Sequence, residues 1–172
     1  KIFHAEKTAG TPQPITGGIA SAIDTRTNKR WVFFGTGSFM TASDANDMIA
    51  SKQSMYGVID DITSGSAYIR SDLTARSVTA DGAGERYFEE LTGLSNKGWY
   101  VDLPDKGERM VLSSRVVGSY LQFNTMMPSG NSCADASGSG YINAITPFSD
   151  MQISGKSYFD LDGDGVTDDT GT

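Results

Sequence analysis

Two pairs of aromatic-rich runs set the strongest limit on what this chain can fold into. Trp31-Val32-Phe33-Phe34-Gly35-Thr36-Gly37 is followed by Gln53-Ser54-Met55-Tyr56-Gly57-Val58-Ile59-Asp60. Later, Tyr120-Leu121-Gln122-Phe123-Asn124-Thr125 is followed by Ser139-Gly140-Tyr141-Ile142-Asn143-Ala144-Ile145-Thr146. Tyr56 and Tyr141 are 85 residues apart and Phe34 and Phe123 are 89 apart, so the chain reads as two similar units with insertions. Each run is short, bounded by Gly, Asn, Asp or Ser and rich in β-branched and aromatic side chains, the pattern of a strand.

A further strand precedes each pair, at residues 1–5 and 98–103. Four short antiparallel strands per unit is the arrangement of a propeller blade, and the repeat separates that reading from a β-sandwich with similar strand spacing. The expected class is all-β: part of a modified β-propeller, several antiparallel blades with insertions. Strands are expected at 20–24, 31–36, 54–60, 67–73, 99–103, 109–112, 116–124, 140–146 and 157–161. Helical signal is confined to a turn or two at 45–52 and 87–94. Two units cannot close a ring that takes about four to eight blades. Residues 1–172 are therefore read as a fragment of one domain, completed by the remainder of the same protein.

Composition agrees with that class. The 172 residues are 38% hydrophobic, enough for one packed core, and 20 glycines with 8 phenylalanines and 7 tyrosines favour strands and turns over long helices. A net charge of −7 argues against a nucleic-acid partner, because phosphate binding is driven by Lys and Arg. No apolar run reaches the roughly 20 residues of a membrane span, and no charged-then-apolar leader opens the chain. Cys133 is the only cysteine, which allows no internal disulfide and leaves a lone thiol or a partner elsewhere.

Chemistry concentrates at residues 160–169, Asp-Leu-Asp-Gly-Asp-Gly-Val-Thr-Asp-Asp. Calcium takes six to eight oxygen ligands, and a short loop supplies them when carboxylates alternate with small residues. Counting from Asp160, positions one, three and five are Asp160, Asp162 and Asp164, and Gly165 at position six permits the sharp turn. Val166 at position seven offers its carbonyl, and Asp168 at position nine ligates directly or through water. Gly171 stands where a helix-loop-helix hand would place a bidentate Glu, so the hand is incomplete, with Asp169 a substitute for one role. Carboxylates this close repel one another unless a cation compensates. The alternative is a plain solvated turn, since Asp and Gly are turn residues. No His or Cys adjoins the loop, which disfavours zinc, and ligand number and flexibility favour Ca2+ over Mg2+.

Other candidates carry less. Asp44-Ala45-Asn46-Asp47 has poorer spacing and reads as a loop or helix cap. His4 is the sole histidine and is expected to pack or face solvent. Ser137-Gly138-Ser139-Gly140 has no base partner, and Gly35-Thr36-Gly37 lacks a phosphate-loop context, so no catalytic residue is assigned. Trp31, Phe33, Phe34, Tyr56, Trp99 and Tyr100 are expected in the core rather than on a ligand platform.

The order of Gln13-Pro14-Ile15-Thr16, the FGTG of the first run, QSMYGVID, KGWYVDLP at 97–104, Gly107-Glu108-Arg109 and Asn131-Ser132-Cys133 before 138–145 resembles the C-terminal domain of the PilY/PilC type IV pilus tip proteins. The resemblance runs from about Gln13 to Asp168. It implies a modified β-propeller exported by a Gram-negative bacterium to the pilus tip, outer surface or medium. It also implies roles in pilus biogenesis, adhesion, twitching motility and the balance of extension against retraction. Pilus subunits, major or minor pilins, and host-surface receptors would be the partners. Carried onto matching positions, the implied Ca2+ ligands are Asp160, Asp162, Asp164, Val166 and Asp168, with Asp164 where the family often has Asn. The family's large N-terminal region is not in this sequence. Two competing readings are a quinone-dependent dehydrogenase propeller, disfavoured by the single cysteine, and an integrin-like or dockerin-like calcium module, which would carry the loop more than once.

Overall fold

A computed structural model describes residues 2–8, 10–41, 43–44, 52–61, 65–80, 86–89, 93, 95–129, 137–148, 158–160 and 165. Ten strands are described: β1 (Ala20–Asp24), β2 (Lys29–Gly35), β3 (Ser54–Ile59), β4 (Thr74–Arg76), β5 (Val78–Ala80), β6 (Arg86–Phe88), β7 (Gly98–Asp102), β8 (Arg115–Val117), β9 (Tyr120–Ser129) and β10 (Ser137–Ile145), with a 3-10 turn at Arg70–Asp72. They form a five-stranded sheet in the order β1-β2-β3-β7-β4, a three-stranded sheet β10-β9-β8 and a β5-β6 ribbon.

The central strands of the five-stranded sheet are buried on both faces, and the period of two along them sorts the side chains. Trp31, Phe33, Met55, Ile59, Trp99 and Val101 share one face with Leu121, Phe123 and Ile145 of the three-stranded sheet. Phe34, Tyr56 and Val58 point the other way, to Tyr68 and Leu73, with Phe3 packed on them. This two-sided burial accounts for the largely apolar character of β3, buried at every residue. The two sheets are also joined by the indole Nε1 of Trp99, which donates to the Pro147 carbonyl at 2.9 Å.

Both aromatic pairs form antiparallel ladders, but their registers differ. Phe34 faces Tyr56, whereas Phe123 faces Asn143 and Tyr141 faces Thr125. The second pairing is displaced by two residues, which preserves the side-chain faces and changes the partners. The first pair lies inside a five-stranded sheet in which β4 joins β7 in parallel, the second inside a three-stranded sheet. All three sheets are open, and they differ in strand number; the described strands are all-β without repeating a four-stranded blade.

Several expected strands are redrawn. Residues 67–73 give a single bridge at Tyr68 and then the 3-10 turn, because the Asp72 carboxylate accepts the Ile69 N–H at 2.9 Å and closes the turn. Residues 109–112 contribute one bridge, Arg109 to Met126. The run 116–124 is cut by a turn with Gly118 at φ +58, which makes it the β8–β9 hairpin. Tyr87 and Phe88, expected in a helical turn, belong to β6. Residues 158–159 form a bend instead of a strand. The helical stretch at 45–52 and the lone thiol of Cys133 fall, apart from Lys52, outside the described residues. No helix among the described residues is long and apolar enough to cross a membrane.

Candidate metal loop and its surroundings

The acidic run begins at a fixed point of the fold. Tyr158 packs edge-to-face on Tyr120, the first residue of β9, with ring centroids 4.8 Å apart, and Phe159 lies against Tyr158 at 5.0 Å. Asp160 follows at once. Its carboxylate Oδ2 accepts the backbone N–H of Gly165 at 2.9 Å, and Gly165 has φ +86. The Gly165 N–H is thus brought to the first carboxylate by a residue in a conformation that favours glycine. Asp162, Asp164, Val166 and Asp168 lie outside the described residues. Among the described residues no three His, Cys, Asp or Glu side chains gather as a metal site.

Asp44, from the second acidic cluster, caps a turn. Its Oδ2 accepts the N–H groups of Met40 and Thr41 at 2.7 and 2.9 Å and the Ser38 hydroxyl at 3.2 Å. The two backbone donors are the main reason its carboxyl is held below the usual carboxylate range. Asn46 and Asp47 are outside the described residues. His4 Nδ1 lies 3.5 Å from Glu6 Oε1 near the surface.

Two arginine-centred networks were not foreseen from the sequence. Arg70 donates to Asp102 Oδ1 at 2.7 Å, to Ser54 Oγ at 3.0 Å and to the Tyr56 hydroxyl at 3.1 Å, while its guanidinium covers the Tyr100 ring at 3.7 Å. The Tyr56 hydroxyl in turn donates to Gln13 Oε1. Burial is the chief cause of the raised Tyr56 pKa. In the second network Arg86 donates to Glu108 Oε1 at 2.6 Å and to Asp105 Oδ2 at 2.7 Å, and lies 3.3 Å above the Tyr141 ring. Burial alone would lower the Arg86 pKa, but the hydrogen bonds and charge of Glu108 outweigh it, and the net shift is upward. The partners are 32 and 22 residues apart in each ion pair, so no local spacing signals them.

No family model matches the chain. Relatives do. A type IV pilus biogenesis factor PilY1 homolog of Xylella fastidiosa is 31% identical over 163 residues, covering 91% of this chain and 13% of the relative. The chain belongs to the PilY1 family. The type IV pilus biogenesis factor PilY1 of Pseudomonas aeruginosa is 26% identical over 194 residues, covering 97% of this chain and 16% of that protein. The chain therefore spans less than a fifth of the length of these relatives. Its fold matches the crystal structure of the Pseudomonas aeruginosa PilY1 C-terminal domain with a TM-score of 0.72 at 22% identity, over 97% of this chain and 38% of that one.

The residues that carry the PilY1 resemblance are in large part scaffold. A Cβ on Gly57 of QSMYGVID would lie 2.5 Å from the Trp99 ring, and a Cβ on Gly98 of KGWYVDLP, at φ +127, would lie 2.1 Å from the Gly57 carbonyl oxygen. Gly35 of FGTG makes room for the Met110 side chain. Within Gly107-Glu108-Arg109, Glu108 receives Arg86, and Arg109 donates to the carbonyls of Ser38 and Asp44 at 2.9 Å each, fixing the loop after β2.

Proposed function

We propose that this chain is a calcium-binding, non-enzymatic module of a type IV pilus biogenesis factor. It acts outside the cytoplasm of a Gram-negative cell, at the pilus tip, the outer surface or in secreted form. There it contributes to pilus assembly and surface attachment and adjusts extension against retraction. Pilins and surface receptors would be its partners, and the open sheets would belong to a larger modified propeller completed by other parts of the protein. The biogenesis role is supported by the relatives in Xylella fastidiosa and Pseudomonas aeruginosa, which bear that name.

The calcium reading rests chiefly on the hydrogen bond from Gly165 N–H to Asp160 Oδ2. A turn that returns position six to position one is what a short loop needs to direct alternate carboxylates at one ion. Asp160, Asp162 and Asp164 would ligate by side chain, Val166 by its carbonyl, and Asp168 directly or through water. Without a bidentate Glu at position twelve, affinity belongs at the weaker end, about micromolar to millimolar. Occupancy contributes RT ln(1 + [Ca2+]/Kd), so a site whose Kd lies near the surrounding calcium concentration can act as a switch, and a much tighter one is only structural.

The test is surface piliation and twitching of cells whose full-length protein carries Asp162→Ala, with calcium varied in the medium. The expected result is altered piliation and a calcium response lost in the variant. Identical piliation, twitching and calcium response in parent and variant would refute the regulatory role.

A further inference from the structure

We infer that the side of the molecule formed by β1 and β8 receives an extended, apolar strand from the part of the PilY1-type domain outside these 172 residues. The inference rests on the larger domain proposed above and names where this chain joins it. β1 ends the five-stranded sheet and β8 ends the three-stranded sheet, and the two strands are neighbours. Among the described residues β1 pairs with β2 alone and β8 with β9 alone, so each has one backbone edge without a ladder partner. Ala20, Ala22 and Val116 turn to the core. Ile23, of the opposite parity, is 54% exposed, and Ile19, just before β1, is 64% exposed. The approach to β1 runs along the approach to β8: a Cβ on Gly17 would lie 2.9 Å from the Leu112 carbonyl oxygen, and Gly18 is packed against the Ser113 side chain. Leu112, 60% exposed, therefore opens onto the same side of the molecule.

An open edge is a template for pairing, and edges that stay open are blunted by Lys, Pro or a bulge. β1, Ala-Ser-Ala-Ile-Asp, has neither Lys nor Pro and pairs with β2 residue for residue. Its one charge, Asp24, is committed to Thr27 and Arg26 in the turn that follows. Addition of a strand would satisfy the outer backbone groups and bury Ile19 and Ile23 in the same step. By contrast β10, at the opposite edge of the three-stranded sheet, exposes one large apolar side chain, Ile142. The solved PilY1 C-terminal domain indicates the occupant: 97% of this chain matches 38% of that one, so more than half of such a domain is available to cover the edge.

The experiment places the photoreactive residue benzoylphenylalanine at Ile19 or at Ile23 of the full-length protein and maps the crosslinks by mass spectrometry. Amide hydrogen exchange along the edge strands is measured in the unsubstituted full-length protein. We expect crosslinks within one polypeptide, to a segment outside residues 1–172, and slow exchange at every amide of β1. An open edge gives alternating fast and slow amides instead, because alternate N–H groups point away from β2. Crosslinks to a second copy, to another protein or within residues 1–172, or none from either position, overturn the docking. So does alternating exchange along β1. If β1 alternates while β10 is slow at every amide, the larger domain stands and the join lies elsewhere; alternation along β1, β4, β8 and β10 alike overturns the larger domain as well.

Discussion

At the scale of single residues, Gly57 lies hard against the Trp99 ring within the five-stranded sheet, where an added Cβ would come within 2.5 Å of the indole. The indole cannot retreat easily, because its N–H is committed to the Pro147 carbonyl. Gly57→Ala is therefore expected to destabilise the fold by about 2 kcal/mol, the scale of overpacking in a core. Gly65→Ala, where an added Cβ meets nothing within 4 Å, should change stability by no more than about 0.5 kcal/mol. Urea midpoints at constant slope measure both. A second residue-scale expectation concerns Asp24. Burial acts to raise its pKa, but hydrogen bonds from Thr27 and Arg26, aided by the Arg26 charge, win and the net shift is downward. A depressed carboxyl contributes stability that is present above its unfolded pKa, about 3.9, and is lost as pH falls through the lower folded value. Denaturation curves between about pH 5 and pH 2 should thus show a smaller acid-induced loss in Asp24→Asn than in the parent.

At the scale of elements, legibility followed strand length. β1, β2, β3 and β7 were readable because an alternating or fully apolar run of five to seven residues leaves a period to see. β4, β5 and β6 have three residues each, too few for any period, and β6 carries a helical signal because Tyr87 and Phe88 precede a Glu-Glu-Leu stretch. The parallel pairing of β4 with β7 depends on contacts far apart in sequence, which no local pattern records. The break between β8 and β9 was hidden inside an apolar run, although Gly118 marked it. Its φ of +58 disfavours a side chain. Gly118→Ala should cost about 1 kcal/mol and Gly118→Asn less, measured by thermal unfolding, since Asn tolerates that region better.

At the scale of the whole molecule, class and family are legible in the sequence, and the described strands form open sheets of five, three and two strands in which no blade repeat is shown. The similarity of the two aromatic pairs is real as antiparallel pairing, yet the two-residue shift in register and the different sheets around them make the pairs unequal. The candidate site followed the opposite pattern. The carboxylate spacing at 160–169 is contiguous and so can be read from the sequence, whereas the contact of Tyr158 with Tyr120 spans 38 residues of chain and leaves no local pattern. The networks of Arg70 and Arg86 stayed hidden for the same reason.

The proposed role depends on calcium binding at residues 160–169. Calorimetric titration of the chain with calcium chloride, beside Asp162→Ala, tests it most directly. Saturable binding at one site per chain is expected in the parent, and binding abolished or weakened at least about tenfold in the variant. Indistinguishable isotherms for parent and variant, or no binding by the parent at millimolar calcium, would contradict it.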